Sequence, residues 1–195
     1  MTTSMKGDLQ VSTKKIVYFS ILASLLLAAV SLSPVLQAAG TPEDSKEVSD
    51  LLSQAKTQAA QLKTDASDME SFTRLSVSWE THAAKISAIK DDVNKVGETV
   101  AKLNQASNTA SPWQKTAIDR VNPLLQELAA NTTSIIEHLN KEKGRLLNTQ
   151  EHKDYLKANA ELASDMSSVI ADFVDYGKTK AKFEKLSREL EVSER

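Results

Sequence analysis

The sequence predicts an all-α fold: an antiparallel up-down-up-down four-helix bundle, with an N-terminal signal or anchor helix and an extended C-terminal helix. Three observations carry that prediction. The 195 residues include only 5 Gly and 4 Pro, so little interrupts a helix. Beyond residue 43 the apolar positions recur at alternating spacings of three and four, the period of one helix face. Short polar connections near 74–77, 108–111 and 144–149 separate four such stretches, and short connections turn consecutive helices antiparallel.

The first element is an address. Residues 1–15 are polar and carry Lys6, Lys14 and Lys15; residues 16–33 (IVYFSILASLLLAAVSLS) carry no charge; Pro34 follows, and Ala38-Ala39-Gly40 supplies small residues. A basic head, an apolar middle and a small-residue exit make a secretory signal, with the mature chain starting near Thr41. The run also reaches the lower limit of a membrane span, so a retained single-span anchor is the alternative. Both send the remainder out of the cytoplasm, because Lys14 and Lys15 stay inside. The chain thus divides into 1–40, signal peptide or membrane anchor, and 41–195, helical bundle. Its expected location is periplasmic or secreted, or else anchored in the inner membrane. Membrane contact is expected only through residues 16–33, if these are not cleaved.

The first bundle helix, over 43–73, places Val48, Leu52, Ala55, Ala59, Leu62, Ala66 and Met69 on one face at heptad spacing. The second, over 78–107, does the same with Trp79, His82, Ile86, Ile89, Val93, Val96, Val100 and Leu103. The third opens on Ser111, Pro112 and Gln114, a capping-box pattern with proline at the first helical position. Its stripe (Ala117, Ile118, Val121, Leu124, Leu125, Leu128, Ile135, Ile136, Leu139) runs to Lys143-Gly144. The fourth, over 150–192 and capped by Thr149, is read from Leu162, Met166, Val169, Phe173, Tyr176, Phe183 and Leu190. Helix four is expected to overhang the end where the N-terminus emerges. Pro123 interrupts helix three, with Gly97 expected to approach it closely; Asn131 and Asn159 are expected to fix register rather than bind a ligand.

Composition excludes several functions. Without residues 1–40 the chain has 21 basic and 25 acidic residues, a net charge of −4, which gives no pull toward nucleic acid. There is no cysteine, hence no disulfide, thiolate metal site or thiol nucleophile. The three histidines follow Trp79, Ile135 and Thr149 by three residues, so the Glu-x-x-His pairs of a di-metal bundle are missing. No nucleotide-binding or hydrolase motif occurs. The sequence therefore predicts no catalytic residues, no metal and no cofactor. One candidate ligand site remains: Trp79, His82, His138 and Tyr155, which hairpin register gathers at one end of the bundle. Aromatic walls and two imidazoles could receive a small ligand there; the structural alternative is a hydrogen-bonded histidine closing the core.

The stretches SVSWETHAAKI (76–86), ASPWQKTAIDRVNPLLQELAANT (110–132) and IADFVDYGKTKAKFEKL (170–186) resemble an uncharacterised group of exported bacterial all-helical proteins. The resemblance implies export and a helical fold, and assigns no activity or site. The expectation is a non-enzymatic envelope or secreted interaction or structural module with an unknown protein partner and no nucleic acid. The alternative is a small-molecule or cofactor-binding bundle that uses the aromatic-histidine end.

Overall fold

The computed structural model describes residues 43–75, 77–142 and 149–190; the signal or anchor segment, and the glycine expected to end helix three, lie outside them. Among the described residues the protein is all-helical, with four long helices and no strand. They are α1 (Lys46–Ser71), α2 (Trp79–Gln105), α3 (Pro112–Glu142) and α4 (Gln150–Glu189). A single-turn 3-10 segment follows α1 (Phe72–Arg74) and another follows α2 (Ala106–Thr109). None of these helices is long and apolar enough to cross a membrane.

Short polar side chains start the helices where the sequence places them. The hydroxyls of Ser45, Ser78 and Thr149 accept from the backbone N–H groups of Val48, Thr81 and His152, satisfying donors that a helix start leaves free. The expected faces of α1, α2 and α3 form the core, except that Trp79, Leu124, Leu125 and Ile136 are half-buried at its margin. All seven α1 positions from Val48 to Met69 are at most 1 % exposed, and Ile89, Val96, Val121, Leu128 and Ile135 are fully buried. α1 packs against α2 and α4, and α3 packs against the same two helices.

Helix four departs from expectation. Its buried line is His152, Leu156, Asn159, Ala163, Met166, Ile170 and Val174, one step around the helix from the larger residues that suggested the stripe. Leu162, Val169 and Phe173 are half-buried on its flank, and Tyr176, Phe183 and Leu190 are exposed. Three of the true core positions hold histidine, asparagine and alanine, so their period was masked by bulkier neighbours. The asparagine in this line is paired: Asn159 Oδ1 accepts from Thr132 Oγ1 at 3.1 Å and from Asn131 Nδ2 at 3.3 Å, joining α3 to α4.

The proline in α3 also sits differently. A Cβ on Gly97 would meet nothing within 4 Å, so no close approach occurs there. Beside Pro123, Asn122 instead exchanges two 2.9 Å amide bonds with Asn104 of α2 and donates to the Ile118 carbonyl at 3.1 Å.

The helix starts are stapled by one buried amide. Gln114 Oε1 accepts from Ser45 N at 3.0 Å and Ser111 N at 2.9 Å; its Nε2 donates to Ser45 O at 2.8 Å and Ser49 Oγ at 2.9 Å. Of the expected capping box only the Gln114 half forms, the Ser111 hydroxyl being buried without a partner, and the same amide ties the first turn of α3 to the first turn of α1. Replacing Gln114 by Ala leaves two backbone donors without their acceptor, that of Ser111 buried and that of Ser45 partly so, and should cost about 2–4 kcal/mol. Urea denaturation followed by circular dichroism measures it; a midpoint unchanged from the parent would show that the amide is not needed.

Candidate functional site

Two places in the described structure hold more chemistry than packing requires. The first is the end foreseen from sequence. α1 delivers Phe72 just past its last turn, α2 delivers Trp79 and His82 in its first turn, α3 delivers His138 and Leu139 in its last, and α4 delivers His152 and Tyr155 in its first. The Trp79 indole N–H donates to the Leu139 carbonyl at 3.3 Å, which satisfies one of the acceptors that the end of α3 leaves open.

All four residues expected at this site, Trp79, His82, His138 and Tyr155, lie at this end, but His82 and His138 do not face one another across a cavity. His152 sits between them. Ring contacts run Phe72–His82–His152–His138–Tyr155, with centroid separations of 5.4, 5.3, 5.5 and 5.7 Å. His152 was missed because its neighbours in sequence gave no ligand spacing. Its signal was periodic: it begins the buried line that continues through Leu156 and Asn159.

His82 is 2 % exposed and His152 fully buried. Their only mutual polar contact is His152 Nε2 to His82 Nδ1, at 3.5 Å. His152 Nδ1 and His138 Nε2 are buried without a partner. A bare acceptor nitrogen is cheaper to orphan than an N–H. The economical tautomer of His152 therefore carries its proton on Nε2 and donates to His82, leaving Nδ1 as a lone pair.

These imidazoles do not form a chelate. Among the described residues no three His, Asp or Glu side chains are placed to hold a metal ion. The reason is visible in the stacking. The His138 and His152 planes are only 16° apart, so their in-plane lone pairs run alongside each other rather than converging.

The second place was not foreseen. Trp113, Thr116 and Arg120 of α3 and Val169, Asp172, Phe173 and Tyr176 of α4 line a surface groove of about 370 Å³. That is the lower end of the range for small-ligand sites. Trp113 is held firmly: its Nε1 donates to Asp44 Oδ1 at 2.6 Å, and its ring meets Tyr176 edge-on at 5.4 Å. Asp44 also takes Lys180 at 3.0 Å, fixing α4 against the segment that enters α1. Gly177 exists for this tryptophan, since a Cβ there would stand 2.7 Å from the ring.

Elsewhere the charges are paired along helix seams. Lys85 of α2 bridges Asp65 and Asp68 of α1. Burial raises the Asp92 carboxyl above its ordinary value while Lys95, at 2.9 Å, pulls it the other way.

The chain was compared with known protein families, curated proteins and solved structures, and nothing matches.

Burial, and then the neighbouring His82 and His138, push His152 from an ordinary 6.5 down to about 4; burial also lowers His82. A base with a depressed folded pKa binds protons more readily when unfolded. Its contribution is complete above pH 6.5 and is lost as pH falls from 6.5 toward 4. Between pH 7.5 and 5 the protein should lose about 2 kcal/mol through His152. Denaturant titrations at the two pH values measure the loss, and His152→Phe should shrink it; an equal loss in that variant would place the titration elsewhere.

Gly177→Ala pits a helix-propensity gain of about 1 kcal/mol against overpacking on a pinned ring, typically 1–3 kcal/mol. The expected outcome is net destabilisation with a red shift of Trp113 emission, read in a Trp79→Phe background. An unshifted spectrum would show that the ring has room.

Proposed function

We propose that this protein is a non-enzymatic exported helical bundle that serves the envelope or secreted fraction as an interaction or structural module, acting through the free face of α4. The carrying observation is where the exposed apolar side chains lie. Of the five large ones among the described residues, Tyr176, Phe183, Leu186 and Leu190 belong to α4, at 53, 52, 43 and 68 % exposure. Singly exposed apolar residues need no explanation; four spaced seven, three and four apart on one helix do. The groove beside Trp113 continues that face toward the bundle.

Export is part of the proposal and rests on residues 1–40, whose basic head, uncharged run and small-residue exit fit a cleaved signal or a single anchor. The up-down-up-down reading of the bundle belongs here too. It is supported by Trp79 at the start of α2 reaching Leu139 near the end of α3, and by Ser45 before α1 reaching Gln114 at the start of α3.

A second reading, a small-molecule or cofactor site at the aromatic-histidine end, has its own support in the two buried nitrogens without partners. Such a ligand would co-purify with the protein and be lost from a variant carrying His82→Gln and His138→Gln.

Native mass spectrometry of the protein extracted from its own envelope separates these readings. The interaction reading expects the chain in an assembly heavier than 21.3 kDa, shed when Phe183→Asp and Leu190→Asp are introduced together with helix content intact. Recovery of the unmodified chain alone, or an assembly that survives both substitutions, would overturn it.

A further inference from the structure

The last buried side chain of α4 is Val174, and the helix runs on to Glu189. Lys180, through Asp44, is the last residue of α4 that an ion pair ties to the rest of the bundle. Beyond it, among the described residues, the helix carries an apolar line that stays exposed: Phe183, Leu186 and Leu190. Phe183 and Leu190 are one heptad apart with Leu186 between them, and Tyr176 lies one heptad earlier. A two-stranded coiled coil uses this narrow pattern, whereas a bundle core uses a wider stripe.

The charges beside the line say what covers it. Lys182 and Glu189 lie on the same flank, one heptad apart. Lys182 makes no ion pair among the described residues, and Glu189 has only a loose 3.7 Å contact with the exposed Lys185 of its own helix. A flank with a lysine at one end and a glutamate at the other is complementary to itself when reversed. We propose that the overhanging end of α4, from Lys182 to its cap Leu190, pairs antiparallel with the same segment of a second copy of this chain.

In that register Phe183 lies over the second copy's Leu190, Leu186 sits at the two-fold axis, and Lys182 meets the second copy's Glu189 twice, once on each side. A parallel pair would set Lys182 beside Ser187, forming no ion pair. It would also bring the two bundles to the same end, where their bulk collides. Antiparallel pairing sends them to opposite ends. With Leu186 at the axis the overlap runs from Lys182 to Leu190, about 14 Å of helix at 1.5 Å per residue, a small interface, so the association is weak and concentration-dependent.

This inference rests on the reading of α4 as the working surface and names the partner. The absence of cysteine makes its test direct. Ser187→Cys in the full chain places one thiol near the axis, within disulfide reach of its own copy. Thr179→Cys places one just beyond the overlap, away from its counterpart. Mild oxidation across a concentration series should give a disulfide-linked dimer from Ser187→Cys and about tenfold less from Thr179→Cys. Adding Lys182→Glu should lower the Ser187→Cys yield severalfold, and adding Glu189→Lys as well should restore it.

Equal cross-linking at the two positions would overturn antiparallel pairing. So would no dimer at any concentration, or a yield indifferent to the charge reversals. If the dimer fails while Phe183→Asp with Leu190→Asp still strips an envelope assembly, the second copy is the wrong partner and the interaction reading stands. If both fail, the α4 face is not a working surface.

Discussion

The structure depends on one constraint: α1 must lie in contact with two helices at once. Its inward line of seven residues contains three alanines, Ala55, Ala59 and Ala66, each fully buried. Small side chains let neighbouring backbones approach, and the larger Leu52, Leu62 and Met69 between them fill the space at each level. α2 and α4 close on α1 from two sides, and α3 completes the ring by packing on those two. A bulky residue at any of the three alanines would separate two interfaces together, which gives these small residues more influence than their size suggests.

The two ends of the bundle are finished by different chemistry. At the Gln114 end an amide saturates backbone groups, and Asp44 joins Trp113 to Lys180. That end is held by hydrogen bonds between unlike groups, with the buried Ser111 hydroxyl left out of them. At the histidine end, aromatic rings stack edge and face, and two nitrogens are left without partners. Packing contributes most there, and the polar atoms are tolerated as long as they stay neutral. One end is therefore specified by direction and the other by shape, so disturbances of protonation concentrate at the second.

Much of this was legible in the residues. The heptad lines of α1, α2 and α3 were readable because almost every position in them is apolar, bulky or small. The same logic misled in α4, where His152, Asn159 and Ala163 hold the core while Leu162, Val169 and Phe173 line the flank. Hydrophobicity reports burial only when the buried side chains are apolar, and Asn159 is buried because Thr132 and Asn131 satisfy it. The histidine end was located through hairpin register, which brought out Trp79, His82, His138 and Tyr155. His152 escaped because its position follows from the α4 line that was misassigned. The groove beside Trp113 could not be foreseen either: it exists because the misread flank residues stay partly uncovered. Gly177 carried the one local hint, a glycine in mid-helix, whose explanation is a tryptophan 64 positions earlier.

Pro123 has a consequence for the way the molecule breathes. Lacking an N–H, it leaves the Asp119 carbonyl without its helical donor, and the neighbouring Asn122 side chain bonds the Ile118 carbonyl and Asn104 instead of supplying one. The hydrogen-bond ladder of α3 is thus interrupted once, about a third of the way along. The shorter part is anchored through Gln114; the longer part is anchored through Thr132, Leu139 and the rings around His138. Cooperative opening need not propagate across that interruption, so one continuous helix can behave as two exchange units with separate protection. Fraying that begins at the histidine end would then stop at the proline, leaving the far half of the bundle closed.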